Sequence, residues 1–98
     1  MNAQKTKRLS SAADIVSEYL INNGIGLFVP VADATQPNFL FIVYEPGLEN
    51  AQFGNVPDVL DTLKPWLGGI IGTFEADNLR TLRIPLGLIL NKRKAVSS

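Results

Sequence analysis

Asp58 and Asp61 stand three residues apart in a stretch that reads as a helix, so their carboxylates would share a face. Two carboxylates so placed can hold a hard cation or divide the roles of general acid and base. The same spacing also describes the solvated side of a helix with a favourable charge in its first turn, which is the plainer reading. Glu45 and Glu49 bracket Pro46-Gly47, and Glu75 and Asp77 flank a turn. Neither pair has a third oxygen cluster beside it in sequence.

Histidine and cysteine are both absent from the 98 residues. That removes the usual general base near neutral pH, the commonest zinc ligand, the Ser-His-Asp and Cys-His routes to acyl transfer, disulfides and every thiol mechanism. Phosphate loops fare no better. Gly24-Ile25-Gly26 follows a helix instead of joining a first strand to one, and Gly68-Gly69 has no lysine with serine or threonine nearby. The sequence therefore supplies no catalytic residue, metal site or cofactor, and it leans away from an enzyme.

Charge is the chain's most unusual property. Six of nine basic residues (Lys5, Lys7, Arg8, Lys92, Arg93 and Lys94) lie outside residues 9–91, while all nine acidic residues lie inside. The body is left with Lys64, Arg80 and Arg83 against nine acids. An acidic body is a poor surface for polyanions, but basic ends can still touch a phosphate or the acidic face of a neighbour. Phe28, Phe39, Phe41 and Phe74 read as core residues, since base-stacking modules place cations beside exposed aromatics. Trp66 and Leu67, near Phe53, form either an amphipathic anchor or a seal at the core boundary.

The elements that position these residues follow from period and punctuation. A flexible basic arm over 1–8 leads into a single domain over 9–91, and a second arm covers 92–98. Ser10 or Ser11 caps a helix of about eleven residues whose apolar face is Ala12, Ile15, Val16, Tyr19 and Leu20, and Asn22-Asn23-Gly24 ends it. Ile25–Ala32 reads as a strand that Pro30 confines to an edge or a bulge. Phe39–Tyr44 is apolar on both faces, the mark of a central strand. Asn55 caps a second helix with Pro57 early, a stripe of Val56, Val59, Leu60 and Leu63, and a break or restart at Pro65.

Ile70–Glu75 and Leu79–Leu90 form a second hairpin turned by Ala76-Asp77-Asn78, with Leu82, Ile84, Leu86, Leu88 and Leu90 alternating strictly. The expected fold is α+β: a small single-layer antiparallel sheet of about four strands with two helices, in the order helix-strand-strand-helix-strand-strand. No stretch approaches the roughly 20 apolar residues of a membrane span, and Asp14, Glu18, Asn22 and Asn23 interrupt any signal-peptide core, so a cytoplasmic protein is expected.

Three functions fit these features. The leading one is a non-enzymatic interaction or adaptor module that forms a homo-oligomer and could also take another protein as partner. Its interface is expected at Leu82, Arg83, Ile84, Leu86, Leu88 and Leu90, with Trp66 or Leu67 at the margin. Nine extended residues cover about 30 Å, whereas a ten-residue helix covers about 15 Å, so part of the leucine face needs another cover. The second is an accessory role on nucleic acid, in which Lys5, Lys7, Arg8, Lys92, Arg93 and Lys94 make a few salt-sensitive phosphate contacts without base readout. The third is a small-molecule binder or carboxylate-based enzyme at the loops 33–38 and 45–55.

Overall fold

The first helix starts earlier than its serines suggest. In the computed structural model, which describes residues 3–47, 58–69 and 71–97, with side chains over 7–47, 58–69 and 71–92, α1 spans Ala3–Asn22. Ser10 and Ser11 lie inside it and cap nothing. The preceding Ala3-Gln4-Lys5-Thr6-Lys7-Arg8-Leu9 is mostly good helix formers and has no glycine or proline, so most of the segment assigned to an arm is helical. Its end is as expected. Gly24 takes φ +85°, Ile25 N–H donates to Leu20 C=O (2.9 Å) and Gly24 N–H to Ile21 C=O (3.0 Å). This is a Schellman close whose flanking apolar pair, Leu20 and Ile25, is fully buried.

Because Ile25 belongs to that close, the strand expected over Ile25–Ala32 shrinks to β1, Val29–Val31. β2 is Phe39–Tyr44, as expected. α2 spans Val59–Leu67 with Asp58 at its N-cap position, while the expected cap Asn55, with Val56 and Pro57, lies outside the described residues. Pro65 does not break the helix. It has no N–H to give the Asp61 carbonyl, but α2 ends only two residues later, where Gly68 at φ 66° donates its N–H to Lys64 C=O. β3 is Gly72–Ala76 and β4 is Leu79–Pro85. They are joined by Asp77 (φ 54°) and Asn78 (φ 67°), the two left-handed residues of a type I′ turn.

The largest departure follows Pro85. The strand expected to run to Leu90 stops there, and Leu86–Ser97 forms a third helix, α3, so the order is helix-strand-strand-helix-strand-strand-helix. The segment 92–98 assigned to a tail is helical as far as Ser97. Burial switches period at the junction: Leu82, Ile84 and Leu86 alternate along the strand, and then Ile89 is buried three residues later, on a helical spacing. An apolar run of this length satisfies both periods. Leu, Lys, Arg and Ala favour helix, and Lys92, Arg93 and Lys94 sit toward its C-terminal half, where cations suit the helix dipole. Leu86 N–H then donates to Asn38 C=O (3.0 Å), fixing the corner to the start of β2.

The four strands form one antiparallel sheet in the order β1-β2-β4-β3. All three helices pack on one side of it. Ala12, Val16 and Leu20 of α1, Val59, Leu63 and Leu67 of α2, and Leu86 and Ile89 of α3 close over Leu40, Ile42, Tyr44, Leu82 and Ile84 in a single core. The fold is therefore α+β with one sheet and one helical layer. No helix among the described residues is long and apolar enough to cross a membrane.

Candidate interaction surface

Alternation along each strand sends the remaining side chains to the other side of the sheet. The register aligns Val31, Phe41, Arg83 and Gly72 in one row across the four strands, and Val29, Val43, Thr81 and Phe74 in the next. Phe39 continues the surface below, paired with Pro85, and Leu79 extends it above. Among the described residues no helix covers this face. Val29 is 57% exposed and Phe74 51%, and only Phe41, in the middle of β2, is shielded to 9% by its neighbours. Four strands of three to seven residues, about five on average, make a face of roughly 19 by 17 Å.

Arg83 is the single charge within these rows. Its guanidinium carbon lies 4.9 Å from the centre of the Phe39 ring and 5.6 Å from that of Phe74. Its Nη1 donates to Gln36 Oε1 at 3.5 Å, and among the described residues no carboxylate comes within salt-bridge distance of it. Opposite it on β3 stands Gly72, where a Cβ would lie 3.4 Å from Arg83 Nε. A Cβ there would be in van der Waals contact with the arginine, which lies toward β3 between two aromatic rings.

Arg80, on the helix side of the same strand, is bound to three residues. Its Nη1 donates to Asp58 Oδ2 (2.9 Å) and Tyr44 Oη (3.0 Å), and its Nε to Glu75 Oε2 (2.9 Å), while Tyr44 O–H donates to Asp58 Oδ2 (3.3 Å). This cluster fastens the start of α2 to the sheet. The hydrogen bond that Arg80 donates to Tyr44 Oη is the main cause that holds its guanidinium protonated above its ordinary range. Burial, opposed by the Arg80 hydrogen bond and reinforced by the Asp58 charge, pushes Tyr44 up to about 12.

Tyr44 thus keeps its proton in the fold to about pH 12, whereas in the unfolded chain it loses it near 10. The contribution is complete below pH 10 and is lost as pH rises through 12. Urea unfolding at stepped pH is expected to show about 2 kcal/mol of stability lost across that window, and Tyr44→Phe to remove the slope. A slope unchanged in the Phe variant would assign the loss to other groups.

With Asp58 committed to Arg80 and Asp61 exposed, the helix pair is not assembled into an acid–base or cation site. No group of three potential metal ligands gathers among the described residues. Glu75 is taken by Arg80, and Glu49 and most of the loop 45–55 lie outside the described residues. The loop 33–38 borders a groove of about 620 Å³ between α1 and β1, walled by Leu9, Ala13, Pro30, Pro37 and Leu40 among others. Its Asp33 carboxylate is turned inward on the loop, accepting from Thr35 N–H (2.9 Å) and O–H (2.7 Å), and those bonds hold its pKa below the usual carboxylate value. The groove is apolar and brings no convergent polar groups together.

The residues expected at the interface are divided between the two sides of the sheet. Leu82, Ile84 and Leu86 are sealed in the subunit's own core, Leu88 and Leu90 pack against it half-buried, and only Arg83 reaches the uncovered face. The premise of nine extended residues is gone, because α3 itself supplies the missing cover. Trp66 seals the helical layer, stacked on Tyr19 at 3.9 Å and 6°, with Lys92 Nζ 6.0 Å from its ring centre, and Leu67 beside it is buried.

Lys7 and Arg8 are exposed on α1, while the side chains of Lys5, Arg93 and Lys94 lie outside the described residues. Tyr19 is twelve residues, about 18 Å of helix, beyond Lys7, so Lys92 and the first basic group lie apart. The uncovered face itself was missed as a set. Its signal was β2, apolar on both sides. Compared with known proteins, the chain matches no family model, no curated protein and no solved structure.

Proposed function

We propose that this chain is a non-enzymatic, cytoplasmic interaction module that self-associates, and that the uncovered face of its sheet is where a second copy packs. One observation carries the reading: β2 is apolar on both sides, yet helices cover only one of them. Monomers rarely expose a contiguous apolar patch beyond about 300–600 Å². Here Val29, Val31, Phe39, Val43, Phe74 and Leu79 gather on one face with Arg83 as the single charge within it.

Two such faces stacked about 10 Å apart form a sandwich and bury on the order of 1,000 Å² in total, near the lower bound for a specific interface. That size corresponds to association at micromolar concentration. Sedimentation velocity from about 1 to 100 μM is expected to show species above the 10.7 kDa chain mass growing with concentration. A strict monomer throughout that range would overturn self-association and leave the face to a different protein.

A further inference from the structure

We infer that β3 pairs edge to edge with β3 of a second copy, antiparallel about a two-fold axis at Phe74, joining two four-stranded sheets into one of eight strands. This rests on the self-association reading and adds a second contact to it.

The two edges of the sheet are unlike. β1 is three residues long with Pro30, which has no N–H, at its centre. β3 has five residues, no proline and no basic residue. Its one charge, Glu75, is held by Arg80 at 2.9 Å and so does not stand free to repel an approaching strand.

Backbone alternation then selects the register. A two-residue turn closes its hairpin on a hydrogen-bonded pair, here Ala76 with Leu79, so Phe74 and Gly72 also bond inward to β4. The N–H and C=O groups of Thr73 and Glu75 are left pointing outward. An axis at Phe74 pairs Thr73 of each copy with Glu75 of the other and satisfies all of them, with four inter-chain hydrogen bonds. An axis at Glu75 would set two like charges opposite one another. An axis at Thr73 would draw in Ile71, which lies outside the strand.

The Phe74 axis also brings the two Phe74 rings together as a non-hydrogen-bonded pair, the closer of the two pair types, each ring next to its own Arg83. A five-residue edge alone buries less than the ~1,200 Å² of a stable interface, so it acts together with the stacked faces. Two isologous contacts on one chain close into a tetramer of D2 symmetry.

Because the chain has no cysteine, single thiols report the register directly. Facing Cα atoms of a non-hydrogen-bonded pair, about 4.5 Å apart, fall at the near edge of the range a disulfide spans. Under mild oxidation Phe74→Cys is expected to give a covalent dimer. Thr73→Cys and Glu75→Cys each stay single, and an equimolar mixture of the two cross-links. Positions 73 and 75 point to the helix side of the sheet, so stacking of the uncovered faces cannot join them. In the unmodified chain the amides of Thr73 and Glu75 should exchange slowly at high concentration and fast on dilution. If the mixture cross-links no better than either single variant and these amides stay fast while the chain still sediments above monomer mass, the edge contact is overturned and the face contact stands. A monomer by sedimentation with no cross-link in any variant overturns both.

Discussion

Leu86→Asp is expected to leave the chain unfolded. Leu86 opens α3, is 2% exposed, and sits in the core with Leu82, Ile84 and Ile89, its N–H bonded to Asn38 C=O. Removing the leucine side chain forfeits about 2–5 kcal/mol of burial and packing. The carboxylate put in its place finds no cation among the residues of that cluster, all of them apolar, and must stay charged at high cost or take up a proton. The sum reaches or exceeds about 5 kcal/mol, the lower end of what a domain of this kind has in total. Far-UV circular dichroism should show an unfolded chain, with no cooperative urea transition. Leu88→Asp, on a half-buried side chain two residues along, should fold with reduced stability. A cooperatively folded Leu86→Asp would mean that α3 does not dock where the strand turns into it.

Several elements set by neighbouring residues are legible in the sequence, whereas those set by distant partners are not. Asn22-Asn23-Gly24 ends α1 because a left-handed glycine and its hydrogen bonds involve only neighbours. The Asp77-Asn78 turn is equally local. β2 is legible because a six-residue run apolar on both sides and bounded by turn residues is strand-sized and too short for a helix. The run Leu82–Leu90 was ambiguous in kind: its leucines satisfy a two-residue period throughout, and the choice at Pro85 between strand and helix is made by the core that α3 enters. Early helix residues such as Lys5 and Lys7 read as an arm on polarity alone, although their helix propensity is high.

The surface was hidden for a different reason. Val29, Val43, Thr81 and Phe74 become one row only when the strands are ordered β1-β2-β4-β3, an order no local pattern carries. The Arg80 cluster is the same case, since Tyr44 and Asp58 lie 36 and 22 residues from it in the chain. Arg80 and Arg83 look alike in sequence. Parity alone separates them, placing one in a hydrogen-bonded cluster under α2 and the other among phenylalanines on the open side.

Val43→Asp is expected to separate the copies without unfolding them. Val43 is half-buried on β2, the inner strand next to β1, and its side chain points away from the helices, between Val29 and Thr81 in the register. In the free subunit the new carboxylate remains in water, and the loss is mainly strand propensity, about 1 kcal/mol or less. Arg83 does not take it up, because its guanidinium lies the other way, over Phe39, Gly72 and Phe74.

When two faces stack, each copy brings its own carboxylate into an apolar layer, and the desolvation penalty counts twice. Even a partial penalty of about 3 kcal/mol weakens association by roughly 100-fold, enough to remove micromolar oligomers from the accessible range. The variant should therefore sediment as smaller species at concentrations where the parent assembles, with a urea midpoint close to the parent's. Val43→Ile, which adds a methylene to the same face, should leave assembly intact. An Asp variant that folds and assembles as before would show that copies do not meet across this face, and the contact would then have to be sought at the edges of the sheet alone.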